Sequence, residues 1–180
     1  MLDFTLSDAQ KQLQEDARAF AKEVLSKARD AYSSKPDQKE RFRSTLDLFR
    51  VAVKMGQIKA LIPPELGGTA GSMLDTAIFV EEIYKVDPSL TVTIVGSGLG
   101  MTPLLLSGKT ELQKKYLEPF LKEEGEPLAS LMHSEPGGTA NWLEKGGKGL
   151  GTIAKKDGCE WVINGEKVGL MLAQIRQPFH

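Results

Sequence analysis

The chain has 180 residues, of which 41% are hydrophobic and 26% are charged, and its formal net charge is −1. This composition is typical of a globular protein and excludes a disordered chain. A nearly neutral charge without an Arg-rich patch argues against a nucleic-acid partner. With one cysteine and two histidines, the chain can form no intramolecular disulfide, and we predict no metal site.

The first half of the chain predicts amphipathic helices. Ser7 and Gln10 have the spacing of a capping box, and apolar residues then recur at three- and four-residue steps as far as Ala28. The next apolar stripe includes Phe49 and ends at Gly56, a typical helix stop. The predicted helices run from Ser7 to the break at 33–36, from Gln38 to Met55, and from Ser72 to Lys85.

Residues 88–108 carry no charge and predict a fourth helix. We expect a buried core helix, covered on nearly all sides, because Pro88, Pro103 and several Gly, Ser and Thr residues make a membrane span unfavourable. Thr110 with Gln113 has capping-box spacing and predicts the start of a fifth helix, with a kink or restart at Pro119.

The pattern changes after Gly125. Residues 127–133 predict a short strand, and the Asp157-Gly158 and Asn164-Gly165 pairs predict turns on either side of a half-buried strand. The predicted fold class is therefore α+β. A helical domain of about five helices, residues 1–126, precedes the beginning of an antiparallel β domain, residues 127–180, which is incomplete.

The segment SEPGGTAN, residues 134–141, lies where the pattern changes from helix to strand. Gly137 and Gly138 let backbone amides approach a ligand closely, and short hydroxyl and amide side chains could bind a polar cofactor. The alternative is a tight Pro-Gly-Gly turn with solvated hydroxyls, which the residues alone favour. No lysine follows as in a P-loop, so triphosphate chemistry is not indicated.

Five blocks, in order, resemble the N-terminal part of the acyl-CoA dehydrogenase family of flavoproteins. They are LSDAQKQLQEDARAFAKE, IPPELGGTAGSMLDTAIFVEEIYKVDPSL, SGLGMTPLLLSGKTELQKKYLEPFLKEE, LMHSEPGGT and DGCEWVINGEK. The resemblance implies a helical domain, a middle β domain and a C-terminal helical domain, with FAD bound between the last two. It also implies FAD-dependent α,β-dehydrogenation of an acyl-CoA, in which a carboxylate removes the α proton and the flavin accepts the electrons.

The same resemblance assigns candidate site residues by position. Those implied to bind the cofactor are Leu131, His133, Ser134 and Thr139, with the Ser134 hydroxyl bonding to the flavin ring. Those implied to contact the substrate are Val92, Val95 and Leu99, which share one helical face, and Ala140 beside the CoA arm. The three apolar residues are equally compatible with a purely structural core.

Thr139, Ala140 and Asn141 depart from the family's usual Gly-Ser-Asp, which weakens the expected contacts to the CoA arm. Gly169 and Met171 stand where the family has the Trp and Thr that pack on the flavin, and residues 168–180 match no family block.

No carboxylate in the chain matches the family's catalytic base, so we predict no catalytic residue. Glu135 is expected to be a structural acid of the turn, Glu81 and Glu82 to be solvated or paired, and Cys159 to be an inert thiol.

We therefore expect an N-terminal fragment of an acyl-CoA dehydrogenase-like enzyme, inactive by itself. The alternatives are a non-catalytic helical subunit or truncated gene product, and a flavin oxidase or monooxygenase on the same fold. The expected partners are an acyl-CoA substrate, an electron-transfer flavoprotein or oxygen as acceptor, and further copies of the chain in a homo-oligomer. Without a signal or transit peptide in the sequence, we expect an intracellular location.

Overall fold

The computed structural model of the protein describes residues 5–136, 145 and 149–168. The chain divides into two compact units, Met1–Ala129 and Ser130–His180. Within the described ranges the first unit is helical and the second contains a β-hairpin, so the predicted α+β class is confirmed.

All five predicted helical segments are present, and two of them are interrupted. The α-helices are α1 Asp8–Glu23, α2 Ala28–Tyr32, α3 Gln38–Ser44, α4 Leu46–Lys54, α5 Met73–Tyr84, α6 Pro88–Leu105 and α7 Thr110–Leu121. Between α1 and α2, the Ser26 hydroxyl donates to the Lys22 carbonyl at 2.6 Å. Between α3 and α4, the Thr45 hydroxyl and N–H both donate to the Phe42 carbonyl. Such local bonds compete with the regular helical ladder and explain the two interruptions.

One predicted capping box is confirmed and the other is wrong. At α1, the Gln10 N–H donates to Ser7 Oγ at 3.2 Å, and the Ser7 N–H donates to Gln10 Oε1 at 3.0 Å. At α7 the N-cap is Lys109, with no side-chain cap bond, and Thr110 already lies inside the helix. The helix also continues through Pro119 as far as Leu121.

Gln113 takes a different role from the predicted one. Its side chain is buried, and Nε2 donates to the carbonyls of Leu104 at 3.2 Å and Leu105 at 3.0 Å. Both carbonyls belong to the last turn of α6, where helical carbonyls lack partners within their own helix. Gln113 therefore joins α7 to the end of α6.

The hydrophobic core of the helical unit is built from the predicted apolar stripes. Buried residues come from six of the α-helices and from the segments that connect them, and burial of each large side chain contributes roughly 1.5–3 kcal/mol. The largest among them include Leu25, Phe49, Ile62, Ile83, Leu90, Ile94 and Leu117. Phe20 of α1 also stacks on Phe79 of α5, with ring centroids 6.2 Å apart.

Helix α6 is covered less completely than expected. Leu90, Ile94 and Met101 are buried, whereas Leu99 is 45% exposed, so part of the helix surface is open in the described chain. Among the described helices, α6 is the one whose length and hydropathy would suffice to cross a membrane, and its buried face belongs to the core. Core helices of soluble proteins meet the same criterion, so one such helix is only weak evidence for a membrane span.

The β-hairpin of the second unit comprises β1 Ile153–Asp157 and β2 Glu160–Asn164, paired antiparallel with Asp157 opposite Glu160. The strand predicted over residues 160–164 is present, but its expected half-burial is wrong, because both strands are exposed along their whole length and Trp161 is 64% exposed. Two strands alone form no second layer that could cover a face. The short strand predicted at residues 127–133 is wrong, because these residues pair with no strand within the described ranges. Leu128 and Ala129 pack on the helical core instead.

Candidate cofactor site

The segment before the glycines of SEPGGTAN runs without helix or strand to a turn at Pro136. Leu131 is half-buried, and His133 and Ser134 are exposed. The Ser134 carbonyl accepts a hydrogen bond of 2.9 Å from the N–H of Val168. Thr139, Ala140 and Asn141, like Gly169 and Met171, lie outside the described residues.

Glu135 has both carboxylate oxygens engaged. Oε2 accepts from the N–H of Gly151 at 2.5 Å, and Oε1 accepts from the N–H of Thr152 at 2.9 Å and from Lys167 Nζ at 2.8 Å. The Lys167 ammonium, together with Thr152 and the Gly151 amide, lowers the pKa of Glu135 from 4.5 to about 2. Glu135 is therefore ionised at neutral pH and a poor proton acceptor, which agrees with the structural role expected for it.

Lys167 completes this arrangement. Besides its ion pair with Glu135, Nζ donates to the His133 carbonyl at 3.1 Å. The Lys167 and Glu135 side chains are only 20% and 10% exposed. We call the set formed by Glu135, Lys167 and the amides of Gly151 and Thr152 the Glu135 clasp.

Sequence reasoning missed Lys167. The two ionic partners are 32 residues apart, so neither periodicity nor a local motif predicts their contact. The one available signal was the position of Lys167 at the end of the EWVINGEK block, which carries the family resemblance.

The residues implied to hold the cofactor fit one edge of a flavin site. Ser134 offers an exposed hydroxyl, a group that can bond to the polar edge of a flavin ring, and half-buried Leu131 lies three positions earlier. The backbone of His133 and Ser134 is fixed by bonds from Lys167 and Val168. A backbone held in this way is better suited to bind a polar cofactor than a solvated turn is. FAD bound here would supply the electron sink that no side chain provides.

The candidate substrate residues lie on α6 in the helical unit. Val92 and Val95 are half-buried, and Leu99 is exposed. Val95 packs against the core, so part of its role is structural. This face is thus less buried than the one that carries Leu90 and Ile94.

Glu81 and Glu82, which were expected to be either solvated or paired, are both paired. Glu82 is buried, and Arg18 Nε donates to its Oε2 at 3.0 Å while Gln14 Nε2 donates to its Oε1 at 2.9 Å. Lys85 Nζ lies 3.1 Å from both Glu81 and Glu82. Over the described residues, no cluster of His, Cys, Asp and Glu could hold a metal ion, and Cys159 is exposed.

Comparison with known families agrees with the helical architecture. The model of the family "Acyl-CoA dehydrogenase, N-terminal domain" matches residues 7–124. The nitroalkane oxidase of Fusarium oxysporum is 52% identical over 168 residues, which cover 93% of this chain and 38% of that protein. A probable medium-chain specific acyl-CoA dehydrogenase of Caenorhabditis briggsae is 31% identical over 166 residues, covering 92% of this chain and 38% of that protein.

Solved structures show the same fold. A nitroalkane oxidase active-site variant crystallised with 1-nitrohexane has a TM-score of 0.87 and 52% identity, over 92% of this chain and 39% of that chain. An acyl-CoA dehydrogenase from Bacillus anthracis, complexed with FAD, has a TM-score of 0.72 and 25% identity, over 94% of this chain and 28% of that chain. FAD, the cofactor that the family resemblance implies, is thus bound in that Bacillus anthracis structure.

The chain spans less than two fifths of the length of the two curated relatives described above. The family match nevertheless includes every α-helix of the first unit, and the likeness extends over more than nine tenths of the chain. The chain belongs to the acyl-CoA dehydrogenase family.

Proposed function

We propose that this chain is the N-terminal part of a FAD-dependent oxidase that acts on nitroalkanes. The observation that carries the proposal is the difference in identity between two relatives matched over nearly the same length. Identity is 52% to the Fusarium oxysporum nitroalkane oxidase and 31% to the Caenorhabditis briggsae acyl-CoA dehydrogenase. The proposal therefore takes the flavin oxidase, one of the alternatives given above, in place of the acyl-CoA dehydrogenase that was predicted first.

The chemistry of the two substrate classes explains how one fold could serve both. A thioester carbonyl and a nitro group each acidify the neighbouring carbon, so each substrate can lose a proton from that carbon to a base. Bound FAD would accept the electron pair in both cases. An oxidase then passes the electrons to oxygen, whereas a dehydrogenase requires a partner such as an electron-transfer flavoprotein.

The loop sequence supports a substrate that lacks CoA. Where the family resemblance implies Gly-Ser-Asp beside the CoA arm, this chain has Thr139-Ala140-Asn141. Ala140 lacks the hydroxyl, so one polar contact to a CoA arm would be lost, and Asn141 is neutral where the family has an acid. A small nitroalkane does not need these contacts.

In the proposed site the Ser134 hydroxyl would donate a hydrogen bond to the flavin ring, and Leu131 and His133 would lie beside the ring. Glu135 is a poor candidate for the base, because Lys167 and two backbone amides engage both of its oxygens and lower its pKa. The α6 residues Val92, Val95 and Leu99 would contact the alkyl chain of the substrate. Homo-oligomer formation stays a prediction, for which sedimentation velocity is the direct measurement.

A second candidate is acyl-CoA dehydrogenation. The match of the acyl-CoA dehydrogenase N-terminal domain to residues 7–124 favours it. In that case the CoA arm would be bound by backbone amides rather than by the side chains of residues 139–141.

The two candidates are separated by loading the purified chain with FAD, removing the excess, and recording the flavin spectrum under anaerobic titration. A perturbed or bleached flavin band with 1-nitrohexane, and no response to hexanoyl-CoA, supports the nitroalkane proposal. The reverse pattern supports the acyl-CoA candidate. A colourless protein contradicts cofactor binding by this chain and favours the non-catalytic alternative.

A further inference from the structure

The Glu135 clasp joins three separate parts of the second unit. Glu135 binds the amides of Gly151 and Thr152, which precede β1, and the ammonium of Lys167, which follows β2. Lys167 and Val168 in turn bind the carbonyls of His133 and Ser134. Residues 133–135 are thus held by the chain segments that precede β1 and follow β2.

A glycine allows this close arrangement. A Cβ atom added to Gly165 would lie 2.3 Å from Thr152 Oγ1 and 2.5 Å from Thr152 Cα, so no larger residue fits without displacement. The close approach brings the segment that carries Lys167 alongside the segment that carries the two amide donors. The NGEK sequence therefore combines a glycine for backbone approach with a lysine for the ion pair.

The charge arrangement is specific to a carboxylate at position 135. Two N–H donors and one ammonium converge on its two oxygens, which is the donor set that an ionised carboxylate accepts best. A neutral amide at that position would lose the ion pair and present an NH₂ group to at least one donor. A solvated surface turn would not require such an arrangement.

We infer that Glu135 and Lys167 are positioning residues that hold Ser134 in the geometry needed to bind the flavin ring of FAD. The inference rests on the cofactor role of Ser134 in the proposed function, and it is independent of whether the substrate is a nitroalkane or an acyl-CoA. Neither residue contacts the reacting atoms. Their effect is transmitted through the backbone of residues 133–135.

The test compares FAD dissociation constants, by quenching of flavin fluorescence, for the 180-residue chain and three variants. Lys167→Met removes the charge and keeps the length, whereas Lys167→Arg keeps the charge. Lys155→Met is the matched control, since Lys155 is an exposed lysine of the same hairpin. We expect about tenfold weaker FAD binding for Lys167→Met, because a hydrogen bond to a charged group is lost. Lys167→Arg should recover most of the affinity, and Lys155→Met should match the unchanged chain.

Hydrogen exchange on the FAD-free proteins separates positioning from folding. The β1–β2 ladder amides should keep their protection in Lys167→Met, while the amides of Gly151, Thr152 and Val168 lose theirs. Loss of ladder protection would reveal a purely structural role and overturn the inference. Unchanged FAD affinity in Lys167→Met, or equal losses in the Met and Arg variants, would also overturn it.

The outcomes also distinguish this inference from the proposed function. If the unchanged chain binds FAD and Lys167→Met binds it equally well, the positioning role fails and the oxidase proposal stands. If the unchanged chain binds no FAD, the positioning role and the cofactor premise of the oxidase proposal fail together.

Discussion

Arg18 of α1 and Glu82 of α5 form a two-point contact in the helical unit. Arg18 Nε donates to Glu82 Oε2 at 3.0 Å and Nη2 donates to Oε1 at 3.2 Å. Glu82 is buried, with only 4% of its surface exposed, whereas much of Arg18 faces solvent. The pair therefore satisfies a buried charge at the interface between the two helices.

Removing Arg18 should destabilise the helical unit. In Arg18→Met the Glu82 carboxylate remains buried with only Gln14 and Lys85 as partners, and we expect Tm to fall by roughly 5–10 °C. Circular dichroism melts measure the shift, with Arg43→Met on exposed α3 as the matched control. An unchanged Tm in Arg18→Met would show that the contact contributes nothing to folding.

The same contact has a predictable pH dependence. Hydrogen bonding from Arg18 lowers the pKa of Glu82 below its usual 4.5, so protonation favours the unfolded chain. The stabilisation is complete above about pH 4.5 and is lost as the pH falls through the lower folded pKa. Glu82→Gln should show a smaller fall in stability over that acid range than the unchanged chain does.

Protonation of Glu135 should likewise weaken its contacts in the second unit, over a pH range set by its lowered pKa. Its pKa is lowered from 4.5 to about 2, chiefly by Lys167, so the clasp is fully formed above pH 4.5 and lost toward pH 2. Hydrogen exchange of the Gly151 and Thr152 amides, followed across this range, measures the loss. In Glu135→Gln these amides should exchange at a rate that shows no such transition, and a transition that survives in this variant would contradict the assignment.

Gln113 and Thr110 offer a direct choice between the predicted capping box and the observed contact. Gln113→Ala removes the side-chain donor to the Leu105 carbonyl and one of the donors to the Leu104 carbonyl, which keeps its hydrogen bonds from Ser107. The change should cost about 1–2 kcal/mol in the free energy of unfolding. Thr110→Ala should change it by less than about 0.5 kcal/mol, because Thr110 makes no cap bond. Urea denaturation measures both. If Thr110→Ala lost more unfolding free energy than Gln113→Ala, the result would support the predicted capping box instead of the observed contact.

Two glycines of the helical unit should differ in how much stability is lost when a methyl group is added. A Cβ on Gly68 would lie 1.9 Å from the Ile62 carbonyl oxygen, a backbone atom, so Gly68→Ala should cost about 3 kcal/mol. A Cβ on Gly98 would lie 3.2 Å from Leu61 Cδ1 and 3.3 Å from Leu61 Cβ, and a shift of a few tenths of an ångström in the Leu61 side chain relieves both contacts. Gly98→Ala should therefore stay within about 1 kcal/mol, because the gain in helix propensity offsets the contact. Equal losses in urea denaturation would contradict this distinction.

Local patterns predicted the features that depend on neighbours in the chain. The Ser7–Gln10 capping box, the apolar stripe from Ala17 to Ala28 and the hairpin turn at Asp157-Gly158 are all present. Each depends on residues at most a few positions apart, where sequence spacing and spatial distance correspond. The interruptions near Ser26 and Thr45 were not predicted. The sequence does not show whether a Ser or Thr hydroxyl bonds to a carbonyl of its own helix or faces solvent.

The partner of a polar side chain was decided only by tertiary structure. Gln113 has the spacing of a capping residue, yet the packing of α7 on α6 brings the carbonyls of Leu104 and Leu105 within its reach. Likewise the family resemblance identified Ser134 as a candidate cofactor-binding residue. It did not predict the contact between Glu135 and Lys167, which depends on the close approach of Gly165 to Thr152. The sequence by itself determined the helices, the turn chemistry and the family, because these follow from local spacing and composition. Tertiary structure decided which charges and amides meet, because long-range contacts depend on how distant segments pack.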